Sequence, residues 1–114
     1  SDYFYDVSWD SVKTMKRWQD TKDFVSGYAM TNKYEDFAES LTYFMFHNND
    51  FRSKAAKSDA LFAKYNFFQK YLFKNQMFIW TDFSPKNKVK PYYWDITKIE
   101  IDSEKFVQYL KKDI

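Results

Sequence analysis

Thirteen phenylalanines, ten tyrosines and four tryptophans stand against one glycine and two prolines in this 114-residue chain. That balance is the inverse of the polar, proline-rich composition that keeps chains disordered. Hydrophobic residues make up 45% of the sequence, enough to bury one real core, and the length leaves no room for a second full domain. The expectation is a compact unit over residues 1–114, one domain or part of one.

Charge narrows the function classes. Eighteen lysines and arginines against sixteen acids leave a formal net charge of +2. That is too close to neutral to argue for nucleic acid, whose partners gather strong positive charge on one face. Without cysteine there is no disulfide framework, thiolate metal site or cysteine nucleophile, so a metal would need His, Asp or Glu. Apolar runs such as 43–46 and 77–80 are far too short to span a membrane, and no signal-peptide pattern opens the chain. The first residue, Ser1, leaves room for the natural protein to continue upstream.

Helical spacing dominates the hydrophobic pattern, so the fold class expected is mainly α. Ser8 or Asp10 would cap a short helix through Trp18, with Val12, Met15 and Trp18 on one face. The lone Gly27, in "SGYAMTN", marks a turn or short connector over residues 26–32, where the backbone needs positive φ or a close approach. Asn32 then caps a helix to about His47 that buries Phe37, Leu41, Phe44 and Met45. A further helix runs from Ser53 or Ser58 to about Gln76. Its stripe is Leu61, Tyr65, Phe68 and Leu72, and Phe67 and Tyr71 widen it enough for packing on two sides. "SPKNKVKP" reads as a surface loop, residues 93–101 as a short β segment, and Asp102 or Ser103 as the cap of a last helix built on Phe106, Val107 and Leu110.

The chemistry gathers in "TNKYEDFAES", residues 31–40. Local physics accounts for two of its acids: Asn32 with Glu35 makes a capping-box start, and Glu35 and Asp36 suit the positive end of the helix dipole. Glu39 lies one turn beyond Glu35 on the same face, where like charges cost a few tenths of a kcal/mol unless a cation lies near. A catalytic zinc commonly takes three protein ligands and a water, and one frequent set is two histidines of a helical H-E-x-x-H with a distant glutamate. Glu35 is a candidate for that glutamate.

The run "SGYAMTNKYEDFAES" resembles the segment downstream of H-E-x-x-H in gluzincin-type zinc metallopeptidases, particularly those similar to the anthrax lethal factor catalytic domain. The residues that carry the resemblance are Tyr28, Thr31, Asn32, Glu35, Phe37, Ala38 and Glu39. It implies the C-terminal helical lobe of a zincin-like fold, secreted or surface-attached in a bacterial setting. It further implies Glu35 as the third zinc ligand, Tyr28 as the phenol that stabilises the developing oxyanion, and Glu39 as an acid steadying a ligand histidine. The sequence itself contains no H-E-x-x-H. The two histidines and the general base would therefore come from an upstream segment of the same protein, with a peptide or protein as substrate. The isolated chain would be inactive and hold no zinc.

A competing reading uses other residues. Lys86, Lys88 and Lys90, followed by Tyr92, Tyr93 and Trp94, could serve a non-catalytic module that binds peptide, glycan or single-stranded nucleic acid. The only histidine, His47, fits a cation at a helix C-terminus or a surface residue better than a ligand, since no second His or well-spaced acid accompanies it.

Overall fold

A computed structural model describes residues 2–72 and 94–96, and over them the chain is mainly helical. Four α-helices follow in order: α1 Asp2–Ser8, α2 Lys33–Phe46, α3 Asn48–Ala55 and α4 Asp59–Phe67. Short 3-10 turns at Thr21–Asp23 and Tyr28–Met30 link α1 to α2, and α4 opens into a π turn over Phe68–Leu72. Among the described residues no strand forms, only an isolated antiparallel bridge between Trp9 and Met15. The surface loop at 84–91, the lysine and tyrosine cluster at 86–93 and the last helix lie outside the described residues, as does the β segment except for residues 94–96.

The caps explain where the main helices begin. Asn32 sits in extended backbone and its side chain accepts from the free N–H groups of Tyr34 and Glu35, each at 3.0 Å. Ser58 does the same for α4, accepting from Leu61 N–H at 3.1 Å. "HNND" interrupts α2 as expected, but only for one residue: His47 ends α2 with φ −136° and begins α3. There it is buried, which removes its reading as a surface residue, and its ring packs on Tyr43.

The helix expected from Ser8 or Asp10 through Trp18 is absent, because α1 ends where it would have begun. Asp10 and Ser11 turn their N–H groups to the Thr14 carbonyl, and Lys16 N–H returns to Ser8. These backbone-to-backbone bonds close a reversal in place of the i to i−4 pattern that a helix would need. The reversal sends the Trp9 indole inward and leaves Val12 and Trp18 exposed.

The core is largely aromatic. Phe4, Phe44, Phe51 and Phe68 are fully buried, and each such side chain removed from water contributes about 1.5–3 kcal/mol before the entropy cost of ordering it. Phe4 meets Phe37 edge-on at 5.1 Å and Phe68 at 5.3 Å, while Tyr65 lies 4.9 Å from Phe44 and 5.4 Å from Phe51. α4 packs between α1 and α3 and buries Phe67 as expected, whereas Tyr71, carried by the π turn, stays exposed.

α2 departs most from expectation. Its buried positions are Asp36, Glu39, Ser40, Tyr43 and Phe44, whereas Phe37 and Leu41 are only partly buried and Met45 lies outside the core cluster. The most deeply buried face of this helix is polar at its N-terminal half, and that polarity organises the candidate site.

Candidate functional site

The three acids of α2 do three different things. Asp36, fully buried, pairs with the equally buried Lys64 of α4 at 2.9 Å. It also accepts from the Trp9 indole at 3.0 Å and from the Ser40 hydroxyl at 3.1 Å. Lys64 donates a second bond to the Asp23 carbonyl at 2.8 Å and lies 4.1 Å from the centroid of the Phe24 ring. Burial pushes the Asp36 carboxyl up and the Lys64 amine down, and each draws its partner back toward the charged form. Asp36 is thus an interior anchor, a role beyond the helix-dipole charge that its position suggests.

Glu39 is the clasp of the site. Its Oε1 accepts from the Ser26 hydroxyl at 2.8 Å and from the Ile96 backbone N–H at 2.9 Å. Burial raises its carboxyl, these two donors oppose the rise, and the charges of Asp95 and Glu35 add to it. Ser26, itself fully buried, accepts from the Ala29 N–H at 3.2 Å, so one hydroxyl both closes the turn that carries Tyr28 and binds it to α2.

Glu35 and Tyr28 converge. The Glu35 charge first, and burial after it, hold the proton of the Tyr28 phenol above the ordinary tyrosine range. Both side chains are half-buried. The capping box is only half used: Asn32 supplies the cap to the Tyr34 and Glu35 N–H groups, and among the described residues no bond returns from the Glu35 side chain to the Asn32 backbone. Residues 94–96 complete the rim, since Tyr28 N–H donates to the Trp94 carbonyl and the Trp94 ring meets the Tyr28 ring at 6.3 Å.

Gly27 explains how that rim fits. Its φ is −64°, an ordinary helical value, so the glycine serves close approach and not positive φ. A Cβ there would overlap the benzo ring of Trp94.

All three site residues expected from the sequence, Tyr28, Glu35 and Glu39, therefore border one region. Among the described residues, however, no group of three or more His, Cys, Asp or Glu side chains is arranged to hold a metal ion. His47, buried at the far end of α2, takes no part in it. Sequence reasoning missed Ser26 and Lys64, and it set Trp94 in a separate binding reading and not beside Tyr28. Lys64 carried a usable signal, because a lysine three residues after Leu61 and four before Phe68 falls on an apolar stripe and requires a buried acid. Ser26 carried none, and the place of Trp94 beside Tyr28 depends on a contact sixty-six residues along the chain. Comparison with protein-family models, with curated proteins and with solved structures finds no match to this chain.

Proposed function

We propose that this chain is the C-terminal helical lobe of a gluzincin-type zinc metallopeptidase, with Glu35 as the glutamate ligand and Tyr28 as the oxyanion donor. The observation that carries the reading is that the turn bearing Tyr28 is fastened through Ser26 to Glu39, one helical turn beyond Glu35, so that the Glu35 charge bears on the Tyr28 phenol. The residues fit such a role in part. One carboxylate at a helix N-terminus suits a divalent ion, but one ligand holds zinc only weakly, so two nitrogen ligands must come from an upstream H-E-x-x-H segment of the same protein.

When bound, the ion supplies Lewis acidity and a water of lowered pKa. This chain contributes the rest. The phenol, held protonated by its acidic surroundings, donates to negative charge that appears on a carbonyl oxygen as the peptide bond is attacked. Glu39, buried and held through Oε1 by Ser26 and Ile96, would stand behind a ligand imidazole as the acid that orients it. A peptidase of this kind would act on peptide or protein, secreted or at the cell surface.

The test uses the intact protein, upstream region included. Glu35→Ala should lower zinc content measured by atomic emission, and Tyr28→Phe should lower kcat on peptides while leaving zinc in place. Normal zinc and normal turnover in both variants would remove the assignment.

A further inference from the structure

We infer that the cleft between α3 and α4 binds the C-terminal end of a peptide, its free carboxylate on Arg52 and its last, apolar side chain between Phe62 and Tyr65. The inference is independent of the peptidase reading, since the cleft shares no side chain with the region around Tyr28. It measures about 320 Å³, and Arg52, Ala55, Ala56, Phe62, Tyr65 and Asn66 line it. That volume lies at the small end of ligand pockets, which suits one residue and its terminus. Ala55 and Ala56, at the end of α3, have side chains too small to fill the space beside α4. Tyr65 is a fixed wall: it is buried, and its hydroxyl donates to the Asn48 side chain at 2.7 Å. Phe62, which also lines the cleft, is a large apolar ring left 56% exposed.

The polar groups select the occupant. Among the described residues Arg52 forms no ion pair and its guanidinium donates no hydrogen bond. Its charge reaches the cleft wall, where it opposes the rise that burial imposes on the Tyr65 phenol. Among the described residues no acid lines the cleft, and the Arg52, Lys54 and Ala55 carbonyls at the end of α3 are taken by the N–H groups of Ala56, Lys57 and Ser58. One planar guanidinium with its donors uncommitted matches a singly charged carboxylate, which it holds through two parallel bonds. Asn66 adds an exposed side-chain amide with no partner among the described residues, and such a group offers both the donor and the acceptor that a peptide bond requires. A free aromatic acid would use Arg52 and leave Asn66 idle, whereas a peptide end uses both. Asn66 also borders a second cleft of about 250 Å³ between α1 and α4. There Tyr3 and Tyr71 stack with centroids 5.8 Å apart, so a chain leaving the first cleft continues over aromatic surface.

A fluorescein-labelled hexapeptide ending in Phe is titrated with the intact protein in EDTA, so that metal-dependent hydrolysis does not consume it, and binding is followed by anisotropy. Its counterparts end in Phe amide and in Ala. The free Phe carboxylate should bind about tenfold or more tighter than either counterpart. Arg52→Met should remove the advantage of acid over amide, Arg52→Lys should keep part of it, and Asn66→Ala should weaken acid and amide alike. Ala56→Phe, at an exposed position, should fill the cleft and weaken every Phe peptide with the thermal midpoint unchanged. Equal binding of acid and amide, or an advantage that survives Arg52→Met, overturns the inference, as does the absence of saturable binding. Competition by 3-phenylpropionate as effective as by the unlabelled peptide overturns the peptide assignment. Stronger displacement by ATP than by unlabelled peptide moves the cleft to phosphate ligands and overturns it too.

Discussion

Replacing Lys64 by methionine tests the buried pair directly. The substitution keeps the length and apolar stem of the side chain and removes the ammonium group. Asp36 would then lie fully buried with two neutral donors, Trp9 and Ser40, and no counter-ion, while the Asp23 carbonyl would lose its bond at 2.8 Å. Breaking one side of a buried pair typically costs about 3–5 kcal/mol, a large share of the roughly 5–15 kcal/mol that holds a domain folded. With a urea m-value of about 1.5 kcal/mol/M, the unfolding midpoint should fall by about 2–3 M at pH 7.5. The loss should also depend on pH. Without Lys64 the folded Asp36 carboxyl, already raised by burial, rises further above its unfolded value. A raised folded pKa means stability that is present below the unfolded value and lost as pH climbs through the folded one, so the variant should recover toward pH 5. Adding Asp36→Asn should restore about 1–3 kcal/mol, because the amide oxygen still accepts from Trp9 or Ser40 and carries no charge to bury. A midpoint shift worth less than about 1 kcal/mol with no pH dependence would refute the claim that this pair is dry and coupled.

Glu35→Gln should bring the Tyr28 phenol back toward 10.0, because the Glu35 charge is the first cause of its rise. Since the folded value is the raised one, the Tyr28 contribution to stability is present below about pH 10 and lost above it, and the variant should lose less there; tyrosine carbon-13 NMR titration and alkaline unfolding read both. Gly27→Ala should cost about 1–3 kcal/mol by overpacking against Trp94, with a change in tryptophan fluorescence; a variant as stable as the parent would show that the ring does not sit there. Ser26→Ala leaves the Ala29 N–H without its acceptor and Glu39 with one donor fewer, so it should cost about 1–3 kcal/mol and lower the Tyr28 phenol pKa, with Ser26→Thr recovering part of both. Asn32→Ala should cost about 1 kcal/mol by loss of the α2 cap, measured by thermal unfolding.

The extent to which the sequence foretold this arrangement follows the range of the forces involved. The Asn32 and Ser58 caps and the stripe of α4 were legible because each depends on neighbours within a turn or two. Residues 8–18 were misread because their helical spacing was genuine but the backbone N–H groups of Asp10 and Ser11 turn to the Thr14 carbonyl and reverse the chain. The interior face of α2 was misread for the opposite reason. Asp36 and Glu39 look like solvent-facing acids until Lys64, twenty-eight residues after Asp36, and Ile96, fifty-seven after Glu39, supply their partners. Only the family resemblance paired Tyr28 with Glu35, and neither it nor the residue spacing could supply the Ser26 bond that fastens the Tyr28 turn to α2.

Helical geometry joins the buried pair to the exposed site. At 3.6 residues per turn, Asp36 points about 100° around α2 from Glu35, while Glu39 lies only about 40° from it. When Lys64 holds Asp36 inward, Glu35 and Glu39 are therefore both set toward the side where Ser26, Tyr28 and residues 94–96 lie. An apolar residue at position 36 could bury itself with comparable stability. It would accept a range of helix rolls, because dispersion contacts have no direction, whereas an ion pair at 2.9 Å bonded also to Trp9 and Ser40 accepts very few. The polar interior of α2 thus trades stability for the orientation of two carboxylates, and a chain that needed only a helical core would have no use for that exchange.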